Sequence, residues 1–578
     1  MTGNMQAAAP SPMASGLQPF APLLAAEKIV LRAAINGDIA KVGYQRPRGP
    51  TPEVRVRAEF LSFLARGGSA GARVGRRRLQ IVGACIVGRI DLERATVPMS
   101  LWFYRCTFSA APALDGARIA GSLSFPDCTL PGLRAQACRI DGDLALNNGC
   151  SVDGELLLTR AVIGRDLNCE RMQMRSNGGA VLTLRRKLVA DAAQIGGDVL
   201  LTEGFEAVGE MRFIAACIRG DLRASTARLT ADLDDAGARG VALALDRLRV
   251  GGSVRLDAGF SAAGQVRLQR ARIEGDLDCT GAGFDAAGDA SWGENSAALL
   301  LDRARIGGAL VLRQLQVPLQ GASLADARVG ALLDDASTWG QHHVLDGFAY
   351  QRLAGDAPTD APMRLAWLAR QFATHLGEDF RPDPWRRLIK VLHRMGREPS
   401  ARAVAIGRER HLRRAGLIGQ GVPPTLRWLA RLGHDLYGLF AGYGHRPLRL
   451  IASAIAVWVL CGAAYWAASE RGALAPSAAR LLADPRLAQC RTECANLPIT
   501  LPNFQPFVYS MDVLLPLVDL QQRRHWAPAR NALAVDLERS IGVPLLTTLT
   551  WFEAACGWLA CLTLLGCVTG LVDRDRPR

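Results

Sequence analysis

Residues 271–279 read Ala-Arg-Ile-Glu-Gly-Asp-Leu-Asp-Cys, and the phrase they contain, Ile-x-Gly-Asp-Leu-x-Leu, recurs through the first half of the chain. Clear copies start at Ile140, Ile195, Ile218, Ile273 and Ile306, with weaker ones at Ile86, Ile119, Ile163, Val250 and Val329. The steps between starts are 33, 21, 23, 32, 23, 32, 23, 33 and 23 residues, so short and long steps alternate from residue 163 onward. Inside the phrase Ile273, Gly275, Leu277 and Cys279 alternate with Glu274, Asp276 and Asp278. That period of two predicts a strand with one buried and one wet face. Second strand-like runs, such as 211–213 and 266–268, follow Gly-centred turns. A circuit of this length cannot bury its own apolar face, whereas stacked circuits can, so the pattern predicts a mainly β fold, a parallel β-helix or β-solenoid, over 76–336.

The long steps add polar or Gly-rich residues at one place, for example 286–296. Four such excursions, within 86–119, 163–195, 218–250 and 273–306, are expected to leave the array on one side, where per-repeat insertions often form a binding face. The Gly and Asp of the phrase read as turn and outward strand positions. Gly196-Gly197-Asp198 lacks the neighbours that a calcium-binding nonapeptide turn requires.

With 578 residues the chain should form two to four domains. Apolar residues at 49% and charged residues at 21% exclude a largely disordered polypeptide. The net charge of +15 rests on 65 Arg and only four Lys, so its placement matters more than its total. Residues 1–27 contain no Lys or Arg, and Pro10, Pro12, Pro19 and Pro22 break their apolar runs, so no secretory signal is read. Eight of the 14 Cys lie between Cys85 and Cys279 with no CxxC pair; they read as buried thiols and not as a zinc site.

Four domains are expected: a helical cap at 1–75, the array at 76–336, a basic α-helical connector at 337–445 and a membrane domain at 446–578. In the last, 450–469 is uncharged and mostly apolar for 20 positions and 554–572 for 19, long enough to cross the hydrocarbon core. Transmembrane helices are therefore expected at about 448–469 and 550–572, with Trp458, Trp466, Trp551 and Trp558 in or near them. Arg427, Arg431, Arg446 and Arg449 before the first span, and Arg574, Arg576 and Arg578 after the second, place both termini in the cytoplasm. Cys490 and Cys494 would then face an oxidising compartment, where a disulfide between them is one of two open alternatives. Asp512, Asp519 and Glu553 are the candidate polar site of the membrane domain, since an acid inside a membrane is a functional candidate by default. The alternative puts Asp512 and Asp519 in a cap outside the bilayer.

Between 386 and 414 ten basic groups (Arg386, Arg387, Lys390, Arg394, Arg397, Arg402, Arg408, Arg410, Arg413, Arg414) face only Glu398 and Glu409. Such a run near a span predicts contact with anionic lipid at about 1 kcal/mol per residue that reaches the headgroups. A merely solvated face is the alternative, and nucleic acid is the partner this pattern favours least. The eight His are scattered, and the doublet His342-His343 reads as a surface turn.

The Ala-Arg-Ile-x-Gly-Asp-Leu phrases, Asp346-Gly-Phe-Ala-Tyr350, Pro382-Asp-Pro-Trp385 before the 402–408 helix, and Phe-Val-Tyr-Ser-Met-Asp-Val-Leu-Leu-Pro-Leu-Val-Asp at 507–519 ahead of Trp526 occur in this order. In this combination the chain resembles a group of bacterial proteins that join a pentapeptide-like β-solenoid to a helical connector and two C-terminal transmembrane helices. The resemblance covers nearly the whole chain and implies the bacterial inner membrane. Some members are labelled membrane-associated oxidoreductases, but this chain shows no G-x-G-x-x-G after a strand, no CxxC and no haem-attachment motif, so neither catalysis nor a cofactor is expected. The reading is a membrane-anchored scaffold whose array meets a protein or ligand; a channel, transporter or sensor component is the alternative, and the oxidoreductase of the label a second. The bilayer is one expected partner, a protein on the array a second, and self-association stays open.

Overall fold

The computed structural model describes residues 17–68, 78–174, 186–232, 239–286, 297–377, 379–421, 423–471, 473–477, 503–528 and 537–568. Two compact units divide the chain, 1–400 and 401–578.

Among the described residues of the first unit, 40 strands form three sheets of 21, 10 and 9, and every pairing in them is parallel. The phrase explains the register. Ile119, Ile140, Ile163, Ile195, Ile218, Val250, Ile273, Ile306, Val329 and Tyr350 form one ladder in which each pairs with the next. The expected weak copy at Ile86 does not belong to it. Ile86 pairs with Phe108 in the ten-stranded sheet, while Val97 pairs with Ile119. The 86–119 step is therefore no long circuit.

From Ile140 to Ile273 the phrase is two short strands, not one, whereas the copies at Ile306 and Val329 run as the single strands Arg305–Leu312 and Arg328–Asp334. Arg272–Ile273 and Leu277–Asp278 lie either side of a corner at Gly275-Asp276, and both rows belong to the largest sheet. The circuit then passes through Gly283–Asp285 in the second sheet and Leu299–Leu300 in the third, which makes four strand rows per circuit. Inward positions are mostly apolar, with Ile273 2%, Leu277 0% and Cys279 0% exposed. Each large aliphatic side chain so buried contributes about 1.5–3 kcal/mol. Three expected excursions fall where the chain passes from the second sheet to the third, between 174 and 186, 232 and 239, and 286 and 297. Most of their residues lie outside the described ones.

The sheets reach beyond 76–336 at both ends. Ile39–Lys41 and Arg55–Arg57 pair with Gln80–Val82 and Cys85–Val87, so the 1–75 segment supplies strands as well as the helices Ala25–Asn36 and Ala58–Ala65. At the other end Ala349–Leu353 is the last strand. There Asp334, buried in the last circuits, accepts two hydrogen bonds of 2.7 Å from Arg364, itself 0% exposed, and one from Trp339 Nε1. Arg364 is carried by the Ala361–Leu368 helix, which Asp360 caps through the Met363 N–H. His343, expected on the surface, is buried with its ring edge-on to Trp339 at 5.0 Å.

The second unit is helical. Arg427–Ala441 leads through a tight turn into the apolar helix Pro447–Glu470, and a second apolar helix spans Leu537–Val568. Both are long and apolar enough to cross a membrane. Between them lies the short helix Pro506–Leu514.

Candidate functional site

The two apolar helices and Pro506–Leu514 enclose a buried acid. Two glycines let the short helix come this close. A Cβ at Gly462 would meet the Phe507 ring, and one at Gly557 would meet the Leu514 carbonyl oxygen. Small residues at such crossings are what close helix approach in membranes requires. Trp458 Nε1 donates to Phe507 O at 2.8 Å, and Ser510 donates to Trp458 O at 3.1 Å. Tyr465 and Tyr509 meet edge-on at 4.9 Å.

Glu553 sits at this crossing with no exposed surface. Its Oε1 is hydrogen-bonded to Ser510, while Oε2 is buried without a hydrogen-bond partner. The two aspartates expected to join it do other work. Asp512 accepts the Leu520 and Arg523 N–H groups, both at 2.8 Å, and so fixes the loop that leaves the short helix. Asp519 accepts from the Gln521 N–H and pairs with Arg524 at 2.6 Å in an exposed position. The three acids therefore form no single polar path. Cys490 and Cys494 lie outside the described residues.

The ten basic residues divide between the units, since the boundary falls between Ser400 and Ala401. Arg386, Arg387, Lys390, Arg394 and Arg397 belong to the first. On the Asp383–Arg394 helix Trp385, Leu388, Val391 and Leu392 are buried, which turns Arg386 and Arg394 outward. Arg402, Arg408, Arg410, Arg413 and Arg414 belong to the second, on the Glu398–Arg414 helix. Here Arg413 makes a bidentate pair with Asp435 at 2.8 Å, and Arg408 pairs with Glu409 at 3.1 Å. Those two are engaged by protein carboxylates. Arg402, Arg410 and Arg414 are exposed.

Sequence reasoning overlooked one element. The Arg427–Ala441 helix was read only as a basic flank, yet Trp428, Leu429, Leu432, Leu436, Leu439 and Phe440 all stand exposed on it. Their helical spacing was the available signal.

Along the array the phrase itself is a ladder of ligands for backbone. Asp166, Asp198 and Asp221 each accept the N–H of the equivalent residue in the next circuit, at 2.8, 2.8 and 2.9 Å. Burial opposes the ionisation of Asp221, but the Ser253 N–H and the Arg223 guanidinium outweigh it and hold its carboxyl below the usual range. Burial pushes the Cys138 and Cys150 thiols up to about 12, which leaves them inert at neutral pH. Among the described residues no group of three or more His, Cys, Asp or Glu is placed to hold a metal. No protein-family model, curated protein or solved structure matches the chain.

Proposed function

We propose that this chain is a membrane-anchored scaffold: a pentapeptide-like β-solenoid on the cytoplasmic side of the bacterial inner membrane, held by a two-helix domain. The observation that carries the anchor is the exposure of the apolar helices. Only 22% of the most apolar stretch of the first and 11% of the second is buried inside the protein. Leu448, Leu460, Leu545, Trp551 and Leu559 are each more than half exposed. A core helix of a water-soluble domain buries such residues, whereas a helix in hydrocarbon presents them to lipid.

In this proposal the stacked circuits display a protein-binding face, catalysis plays no part, and 470–540 faces the extracytoplasmic side. The binding face is assigned to the corner between the second and third sheets, where long circuits carry their extra residues. A photo-crosslinking amino acid at Ala286, beside that corner, should capture a discrete partner in cells. The same group at Arg165, on the Gly-Asp corner of a circuit, should not. Equal or no capture from both sites would contradict the assignment.

The short helix wedged against both apolar helices favours a second reading, a transport component. In that reading Glu553 carries a proton or cation between the helices. Ion flux through proteoliposomes that Glu553→Gln abolishes would support it over the scaffold.

A further inference from the structure

The Arg427–Ala441 helix is amphipathic the wrong way round for a soluble protein. At 100° per residue Trp428, Leu429, Leu432, Leu436, Leu439 and Phe440 fall within an arc of about 120°. All six are between 44% and 60% exposed. The opposite side is the one packed on protein. His434 lies 3.4 Å from Glu409 and meets the Tyr443 ring in a tilted contact at 4.7 Å, and Asp435, at the edge of the apolar arc, pairs with Arg413. His434 and Asp435 thus find their charged partners within the protein, and the apolar side is left bare.

The joint to the next helix is built to hold this orientation. Gly442, Tyr443 and Gly444 all have positive φ (54°, 57° and 84°), which folds the chain back on itself. The Tyr443 ring returns to the helix over Gly438, where a Cβ would strike it. Three residues later the first apolar helix begins at Pro447. Arg446 and Arg449 at its start are exposed and enter no ion pair among the described residues.

We propose that Arg427–Ala441 lies in the plane of the membrane interface, its apolar arc in the upper acyl region and Arg446 and Arg449 at the anionic headgroups. The inference rests on the membrane anchoring proposed above. The occupant is lipid because only the 442–446 turn separates the bare arc from a helix that itself exposes leucine and tryptophan. It is an anionic lipid because Arg446 and Arg449, beside the arc, are exposed and enter no ion pair among the described residues. The connector then touches the bilayer through this helix, with the Arg408 and Arg413 side of its neighbour turned to protein.

The test uses the full-length protein in vesicles containing phosphatidylglycerol, with a fluorescent amino acid placed singly at Leu436, at Val459 in the first apolar helix, or at exposed Arg414. Lipids brominated near the headgroup or near the chain centre serve as quenchers. Leu436 should be quenched more strongly by the shallow bromine, Val459 by the deep one, and Arg414 by neither. Replacing phosphatidylglycerol by phosphatidylcholine should weaken quenching at Leu436 and leave Val459 unchanged. If Val459 is quenched while Leu436 is not, the interfacial helix is wrong and the anchor stands; blue-shifted, unquenched emission at Leu436 would mean that protein covers the face. Deep quenching at Leu436 would also overturn the proposal, because the helix would then be inserted. If neither site is quenched, the anchor itself is wrong.

Discussion

Asp221 shows how one residue type serves the array. Its carboxylate takes the N–H of Ser253 one circuit on, and it stands where a Cβ on Gly252 would have to be. The same relation holds for Asp166 with Gly197, Asp198 with Gly220 and Asp276 with Gly308. Gly and Asp of the phrase are thus one device: the acid of one circuit occupies the space that the glycine of the next leaves free. Asp221→Ala should destabilise the array by about 1 kcal/mol, the cost of leaving the part-buried Ser253 N–H unmet. Gly252→Ala should be costly in the native background and markedly less so beside Asp221→Gly. Thermal unfolding of the four full-length proteins in detergent would measure that coupling, and strict additivity would contradict it.

His343 offers a pH test at the same scale. Burial, with Arg370 and His342 nearby, lowers its imidazole from 6.5 to about 4. The folded protein therefore takes up this proton at lower pH than the unfolded chain does. Its contribution is complete above about pH 6.5 and is lost as pH falls toward 4, a change of roughly 3 kcal/mol. His343→Leu should flatten the stability profile of the first unit over that window. An unchanged slope would show that the imidazole titrates normally.

At the scale of the element, the end of the array depends on one buried ion pair. Removing Arg364 leaves Asp334 charged among Trp339 and apolar neighbours, a loss of about 3–5 kcal/mol. Arg364→Met should lower the denaturant midpoint sharply, and Asp334→Leu in the same chain should restore much of it. In the second unit the elements meet at glycines. Gly557→Leu should expel the Pro506–Leu514 helix, and a cysteine at Val513, now 1% exposed, should become reactive to thiol reagents. Val513→Cys that stays unreactive in that background would contradict the packing.

Which elements could be read beforehand follows from where their signals lie. The isoleucine ladder was legible because its residues carry the same phrase at alternating short and long steps and are buried one after another. The corner inside the phrase was not, since Ile273, Gly275, Leu277 and Cys279 keep a period of two across the bend at Gly275-Asp276. Ile86 was misplaced because another row of the same circuit carries the same apolar side chains. The wedge of Pro506–Leu514 rests on Gly462 and Gly557, each more than 40 residues away, and no local pattern announces such a contact. Glu553 was legible as an odd charge in an apolar run, but its partner Ser510 was not.

At the scale of the whole molecule the chain joins a stacked parallel-sheet unit to a helical unit that exposes apolar side chains. The proposed topology predicts that alkaline phosphatase fused at residue 500 is active and fused after residue 578 inactive. The most direct test of the central claim is alkaline carbonate extraction of membranes from cells that make the full-length chain. The proposed anchor predicts that the protein stays in the membrane pellet, its two apolar helices, with only 22% and 11% of their most apolar stretches buried, facing hydrocarbon. Release of the intact protein into the carbonate supernatant would contradict it.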